Sequence, residues 1–274
     1  MLVTGLKGSK MKKVLVVAHP DDEVLFFSSI IEKVDAVIVC FGPSSNQKVT
    51  DGRRLLQNRY PLQHIEWLNI QESDVYLSAN WNRPRLTDEG IFVRRNQDEY
   101  HNNFTILVKL FKTKLVLYGV IYTHNPWGEY GHEEHILVFK AVCSATESTK
   151  SVVYVPSYIS DRSKKTFDIQ KVLLGSELAV GKVPKNLCIS IKKLYIDTKC
   201  WTWHDEYIWP ESEVFIKLRN HDSTEGKKFW KCNANPPVML LTQSFKRSYL
   251  QLFISRLLPT TFKKKIKRLL KKPN

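Results

Sequence analysis

At Val14-Leu-Val-Val-Ala-His19-Pro20-Asp21-Asp22-Glu23 an apolar, β-branched run stops at one imidazole and three carboxylates. A second such run leads into Tyr122-Thr-His124-Asn125-Pro126-Trp127-Gly128-Glu129-Tyr130-Gly131-His132-Glu133-Glu134-His135. Each reads as a buried strand followed by a helix start, with acids in the first turn where the helix dipole favours them. Polar groups gathered at strand-to-helix junctions mark the edge where a parallel α/β sheet carries its active site. Imidazole nitrogen and carboxylate oxygen suit a zinc-type ion, and a catalytic site keeps three protein ligands and one open position. His19, Asp22 and His135 could supply those three.

Working outward, strand and helix patterns alternate. Strands are expected at 13–18, 35–41, 64–69, 115–123 and 151–156, and helices at 22–33, 52–60, 95–112 and 132–145. The polar stretch 72–90 reads as a long loop of the kind that carries substrate contacts. This βαβα order predicts a Rossmann-like three-layer α/β/α sandwich with a mainly parallel, right-handed sheet. Beyond residue 156 the pattern weakens: 157–165 reads as a surface loop and 168–178 as a helix. Four aromatics crowd the segment from Trp201 to Trp209, read first as a cap on the core and second as a sugar-stacking or membrane-interface wall.

The chain has 274 residues, 43% hydrophobic and 25% charged, the composition of an ordinary globular protein that can bury a sizeable core. Its five cysteines are odd in number and show no C-x-x-C spacing, so reduced thiols and a cytoplasmic location are expected. No run is long and apolar enough for a spanning helix, residues 1–10 lack the features of a signal peptide, and Met11 could be an alternative start. The net charge of +15 is concentrated: residues 245–274 hold ten Lys or Arg and no Asp or Glu. There Phe262, Ile266, Leu269 and Leu270 share one helical face amid lysines, the pattern of a basic amphipathic helix on an anionic membrane surface. A solvated tail is the plainer reading, and nucleic-acid binding is not expected, for want of any recognisable module.

Ala18-His-Pro-Asp-Asp-Glu23 followed by Thr123-His-Asn-Pro and Gly131-His-x-x-His135 resembles the LmbE-like, or PIG-L, family of zinc-dependent de-N-acetylases. The resemblance spans residues 12–156. It implies His19, Asp22 and His135 as ligands of zinc, with ferrous iron the alternative, and Asp21 as general base. It also implies His132 and Tyr130 as the groups facing the oxyanion and leaving group. Either Arg53 or Arg54 would be the substrate-facing arginine that relatives carry after the second strand. His124 would fix its loop or touch substrate, Asn125 would belong to the substrate contacts, Trp127 would line or cap the pocket rim, and Glu133 and Glu134 would be helix-start charges.

The chemistry asks for the same residues. An amide is a poor electrophile and water a poor nucleophile, and a Lewis-acidic ion with an adjacent base addresses both. His132, if protonated, or Tyr130 could donate to the tetrahedral oxyanion. The domain organisation expected is an extension at 1–11, one deacetylase domain at 12–244 with its substrate-shaping part at 157–244, and a basic amphipathic tail at 245–274. The activity expected is removal of an N-acetyl group from a GlcNAc-type amino sugar. A lipid-linked or glycoconjugate substrate at the inner membrane face is suggested by the tail. The alternatives are a soluble small-molecule deacetylase of cofactor or antibiotic biosynthesis, and a catalytically retired membrane- or glycan-binding module.

Overall fold

The computed structural model describes residues 11–219 and 238–241. The expected basic tail at 245–274 and nearly all of the extension at 1–11 therefore lie outside the described residues. Strands β1 (Lys13–Val17), β2 (Ala36–Phe41), β3 (Ile65–Ile70), β4 (Val120–Thr123) and β5 (Val152–Pro156) pair in parallel in the order β3-β2-β1-β4-β5. Between them run helices α1 (Asp22–Phe26), α2 (Gln47–Gln57), α3 (Gln97–Lys114) and α4 (Glu133–Thr146). The later elements are β6 (Tyr158–Ile159), α5 (Lys164–Gln170), β7 (Leu174–Lys182), α6 (Lys185–Asp197), β8 (Ser212–Leu218) and β9 (Met239–Leu240). β8 adds antiparallel to β5 and β7 antiparallel to β8, completing a seven-stranded, mostly parallel sheet, while β6 and β9 form a small parallel pair. This is the expected α/β sandwich with an antiparallel edge.

Strands buried on both faces need apolar side chains throughout, and Val14 to Val17 are fully buried without alternation. Val14, Val16, Ile38, Cys40, Ile121 and Val153 join one core cluster with Tyr100, Leu107 and Phe111 of α3 and Leu137, Val138 and Ala141 of α4. α1 and α2 both meet α6. The order reverses between β1 and β4, the two strands that lead into the His-rich stretches, so the fold brings their carboxyl ends together at the switch point.

Three expectations are corrected. The helix expected over 22–33 ends at Phe26, because the Ser29 N–H donates to Glu213 Oε2 at 2.8 Å instead of continuing the helical ladder. Ser28 Oγ donates to the same carboxylate at 2.8 Å. The helix expected over 168–178 stops in a short 3₁₀ turn, and from Leu174 the chain pairs with β8, burying Leu174 fully. The segment 157–165 is not a surface loop, since Ser157, Ser160, Ser163 and both residues of β6 are buried. Of the aromatics in 201–209, Trp209 is buried and donates its indole N–H to Val24 O at 2.6 Å, which matches the core-cap reading.

The described residues fall into a main unit and a small group, 203–207 with 241. Within that group the Trp203 and Tyr207 rings meet edge to face at 6.2 Å. Cys40, Cys143, Cys188 and Cys200 are free thiols. Among the described residues no helix is long and apolar enough to cross a membrane.

Glu213 is fully buried and accepts from Ser28, Ser29 and, at 3.3 Å, the Tyr158 hydroxyl. Removing an acceptor that satisfies buried donors costs about 1–3 kcal/mol. Glu213→Ala is expected to lower stability by roughly that much, read as a lower urea midpoint at unchanged slope.

Candidate active site

The site is built at the carboxyl ends of β1 and β4. After β1 the chain turns at His19-Pro20, and Asp21 takes a left-handed backbone at φ 96° before α1 begins. After β4 the loop is tightened by positive φ at Gly128, Glu129 and Gly131, and His132 caps α4 by accepting the Glu134 N–H on Nδ1 at 3.2 Å. His19, Asp21, Asp22, His124, His132 and His135 are all at least nine-tenths buried.

The partners of each imidazole fix where its proton sits, because a carboxylate only accepts and a backbone N–H only donates. His135 Nδ1 donates to Glu129 Oε2 at 2.6 Å, so its Nε2 carries a lone pair. That Nε2 is buried, has no hydrogen-bond partner, and lies 3.3 Å from Asp22 Oδ1. His19 Nε2 donates to Glu134 Oε2 at 2.9 Å, which turns Nδ1 towards Asp22 Oδ2 at 3.3 Å. His124 Nδ1 donates to Glu129 at 3.1 Å, and its Nε2 accepts the Ala18 N–H at 2.8 Å, so both nitrogens are committed. In His132 the lone pair on Nδ1 is taken by the Glu134 N–H, which leaves the proton on Nε2.

Two triplets of donor atoms lie within 4.8 Å of one another: His19, His132 and His135, and Asp22, His124 and His135. Backbone N–H groups occupy the lone pairs of His124 and His132, so the groups left with lone pairs for a cation are His19 Nδ1, Asp22 and His135 Nε2. Two imidazole lone pairs facing one carboxylate repel unless a cation or a proton lies among them. Without an ion, a proton takes that place. Burial disfavours the His19 cation, yet Asp22 and Glu134 outweigh it and push the His19 pKa up to about 10. Burial likewise works against the Asp22 carboxylate, but the His135 and His124 rings beside it hold its pKa well below the ordinary range.

Asp21 is held apart from Asp22. Its Oδ2 accepts from Thr202 Oγ1 at 2.7 Å, and burial together with the adjacent Asp22 charge pushes its pKa up to about 8. His132 is stacked between His135 and Tyr76 at ring distances of 4.6 and 4.8 Å, and burial among imidazoles drives its pKa well below the usual value. It is a neutral donor through Nε2 rather than the protonated one considered from sequence. The Tyr130 ring sits 5.4 Å from His135 and 5.8 Å from His132.

Other expected residues are dispersed. Arg53 is buried and bonds to Gly42 O at 2.9 Å and to Glu72, whereas Arg54 is exposed and pairs with Asp51 at 3.5 Å. Asn125 is buried and spends its amide on Pro156 O and Tyr158 O and its oxygen on the Trp127 and Glu129 N–H groups. Trp127 is fully buried, donates to Tyr158 O and packs on Phe167, so it faces the core rather than a rim. Glu133 and Glu134 are more than helix-start charges. Glu133 accepts from Ala79 N and Trp81 Nε1, and Glu134 from Ser73 N, tying the long loop to α4. Sequence reasoning passed over Glu129, which orients two imidazoles; its place between the loop's two glycines was the available signal. It also passed over Tyr195 and Thr202, which no spacing marks.

Residues 14–146 match the family model PIG-L, described as GlcNAc-PI de-N-acetylase. That match covers just under half of the chain and includes both His-rich stretches. An uncharacterised protein of Acanthamoeba polyphaga mimivirus is 28% identical over 153 residues, covering 51% of this chain and 60% of the relative. The chain thus spans about three fifths of the length of the curated relative it matches. Two solved structures are similar in outline. One is the zinc-inhibited form of a teicoplanin deacetylase, with TM-score 0.49 and 12% identity over 78% of this chain and 100% of that one. The other is the A40926 pseudoaglycone deacetylase, with TM-score 0.47 and 10% identity over 78% of this chain and 99% of that one.

Metal affinity should rise with pH. His19 holds a proton below about 10, and an ion bound at Nδ1 must displace it. Zinc affinity is expected to grow by about tenfold per pH unit between pH 6 and 8, with about one proton released per ion. Calorimetry in buffers of different ionisation enthalpy reads both quantities; pH-independent binding without proton release would refute the assignment.

Proposed function

We propose that this protein is a metal-dependent hydrolase that removes the acetyl group from an N-acetylated amino sugar of the GlcNAc type. The observation that carries the proposal is the convergence of His19 Nδ1, Asp22 and the unpartnered His135 Nε2, with Asp21 beside them. The match of residues 14–146 to the PIG-L family model supports the reaction type. His19, Asp22 and His135 would hold the ion, zinc or ferrous iron, and the donor set of two imidazoles and one carboxylate suits either. When bound, such an ion supplies Lewis acidity, polarising the amide carbonyl and lowering the pKa of water towards about 7.

The chain's own residues divide the remaining work. Asp21, with a pKa pushed towards neutrality, takes the proton of the attacking water and returns it to the departing amine. Neutral His132 donates Nε2–H to the oxyanion; losing one such donor costs on the order of 10²-fold or more in rate. Tyr130 and Tyr76 flank His132 and exclude water from it. Glu129 and Glu134 hold the His135 and His19 rings in the tautomers that leave lone pairs inward, the usual partnership of carboxylate, histidine and metal.

A soluble amino-sugar substrate and a lipid-linked or glycoconjugate one present the same amide to this site. The membrane-surface reading, with the protein cytoplasmic, rests on the ten basic residues of 245–274. Deleting residues 259–274 is expected to abolish binding to anionic liposomes while hydrolysis of a soluble N-acetylglucosamine derivative continues; binding that persists would remove the membrane from the proposal. Asp21→Asn is expected to lower kcat by about 10²–10⁴-fold with the metal still bound, measured by acetate release and metal analysis. Full activity in that variant would refute the base assignment. A wild-type protein inert towards N-acetylhexosamines would favour the retired glycan-binding module.

A further inference from the structure

Asp21 takes a left-handed backbone, at φ 96° and ψ −23°. For a residue other than glycine such a conformation costs about 1–3 kcal/mol and persists only where its surroundings over-determine it. What over-determines it comes partly from the neighbouring Glu23 and partly from the half of the chain that carries no motif. The Asp21 N–H is shared between Tyr195 Oη at 2.7 Å and Glu23 Oε2 at 3.0 Å. Tyr195 in turn donates its hydroxyl to Glu23 Oε1 at 2.7 Å, and Tyr60 donates to the same oxygen at 2.7 Å. Tyr195 and Glu23 are fully buried, so these bonds have no water to compete with them.

The side chain is gripped separately. Thr202 donates to Asp21 Oδ2 through both its hydroxyl, at 2.7 Å, and its backbone N–H, at 3.3 Å. Among the described residues no donor reaches Oδ1. One oxygen is thus anchored and the other kept for a proton. The reversal at Asp21 also separates two consecutive carboxylates: Asp22 turns to His19 and His135, and Asp21 turns to Thr202.

We propose that Tyr195 of α6 and Thr202 are positioning residues for Asp21, fixing respectively the backbone and the carboxylate of the general base. Neither touches the reacting atoms. The inference rests on the base role given to Asp21 above and adds that the carboxyl-terminal half is required for the chemistry. An error of about 1 Å in the placement of a reacting group costs on the order of 10²-fold in rate. Losing one of two anchors should cost less.

Tyr195→Phe removes only the hydroxyl and keeps the buried ring. Measured on the full-length, zinc-loaded chain with a soluble N-acetylglucosamine derivative, kcat should fall by about tenfold or more while KM and zinc content stay at wild-type values. A kcat equal to wild type, or a loss carried by KM or by missing zinc, overturns the proposal. Should Tyr195→Phe fail to fold, Thr202→Val decides. Thr202 is exposed, so that variant folds, and it should lose kcat in the same manner while Thr202→Ser restores it. Equal activity of the valine and serine variants overturns the Thr202 assignment. A wild-type chain that releases no acetate refutes the proposed function instead, and crystal structures of the two variants then decide the contacts. An Asp21 that leaves φ 96° or swings its carboxylate supports positioning, and an unmoved Asp21 overturns it.

Discussion

Asp22 faces the lone pairs of His19 Nδ1 and His135 Nε2 at 3.3 Å each, inside a pocket where neither imidazole can turn away. Glu134 holds one ring by its far nitrogen and Glu129 holds the other. Such an arrangement is unfavourable without positive charge at its centre, and the surrounding groups keep it from relaxing. The Ala18 N–H occupies His124, the Glu134 N–H occupies His132, and the His19 N–H donates to Asp22 Oδ2 at 2.7 Å. Which of the five nearby titratable groups would be left to hold an ion follows from which lone pairs the backbone has already used.

Keeping so many carboxylates out of water requires that each be satisfied. Glu23, Glu129, Glu133 and Glu213 are fully buried, and every one accepts several hydrogen bonds. Burying an ionised group alone would cost several kcal/mol, so each of these acids dictates the path of the chain around it. Glu213 ends α1 early, Glu133 and Glu134 bind the long loop over α4, and Glu129 shapes the turn between its glycines. That turn is secured from outside as well: Ser163 donates to Glu129 O at 2.7 Å and Ser160 to Tyr130 O at 3.0 Å. Glycine is favoured at 131, where φ is 91° and a Cβ would displace the Arg162 side chain.

The second half of the chain consequently braces the first. Trp209 covers the carbonyl of Val24 in α1, Tyr195 and Thr202 hold Asp21, and residues 160–163 hold the histidine loop. Only the matched segment, 14–146, carries the motifs, but its geometry is set by contacts made after residue 156.

The parallel sheet and the meeting of the two His-rich stretches at one end of it were legible in the residues alone, because continuous apolar strands, acids at helix starts and two His-rich junctions are local patterns. His19, Asp22 and His135 suggested themselves as ligands for a similar reason, since metal-donor chemistry leaves few residue types to choose from, and the fold brings their side chains together. What the local pattern could not reveal was direction. Arg53 and Arg54 differ by one position on a helix, yet one is buried against Glu72 and the other faces solvent. Asn125 and Trp127 lie inside the motif but turn into the core, because their amide and indole satisfy carbonyls of a later strand. The helix expected at 168–178 gave way to strand pairing with β8, a partner more than thirty residues away that no local propensity contains. The tautomers of the four histidines, and hence which of them are free to hold an ion, were decided by hydrogen bonds that only the tertiary structure brings into reach.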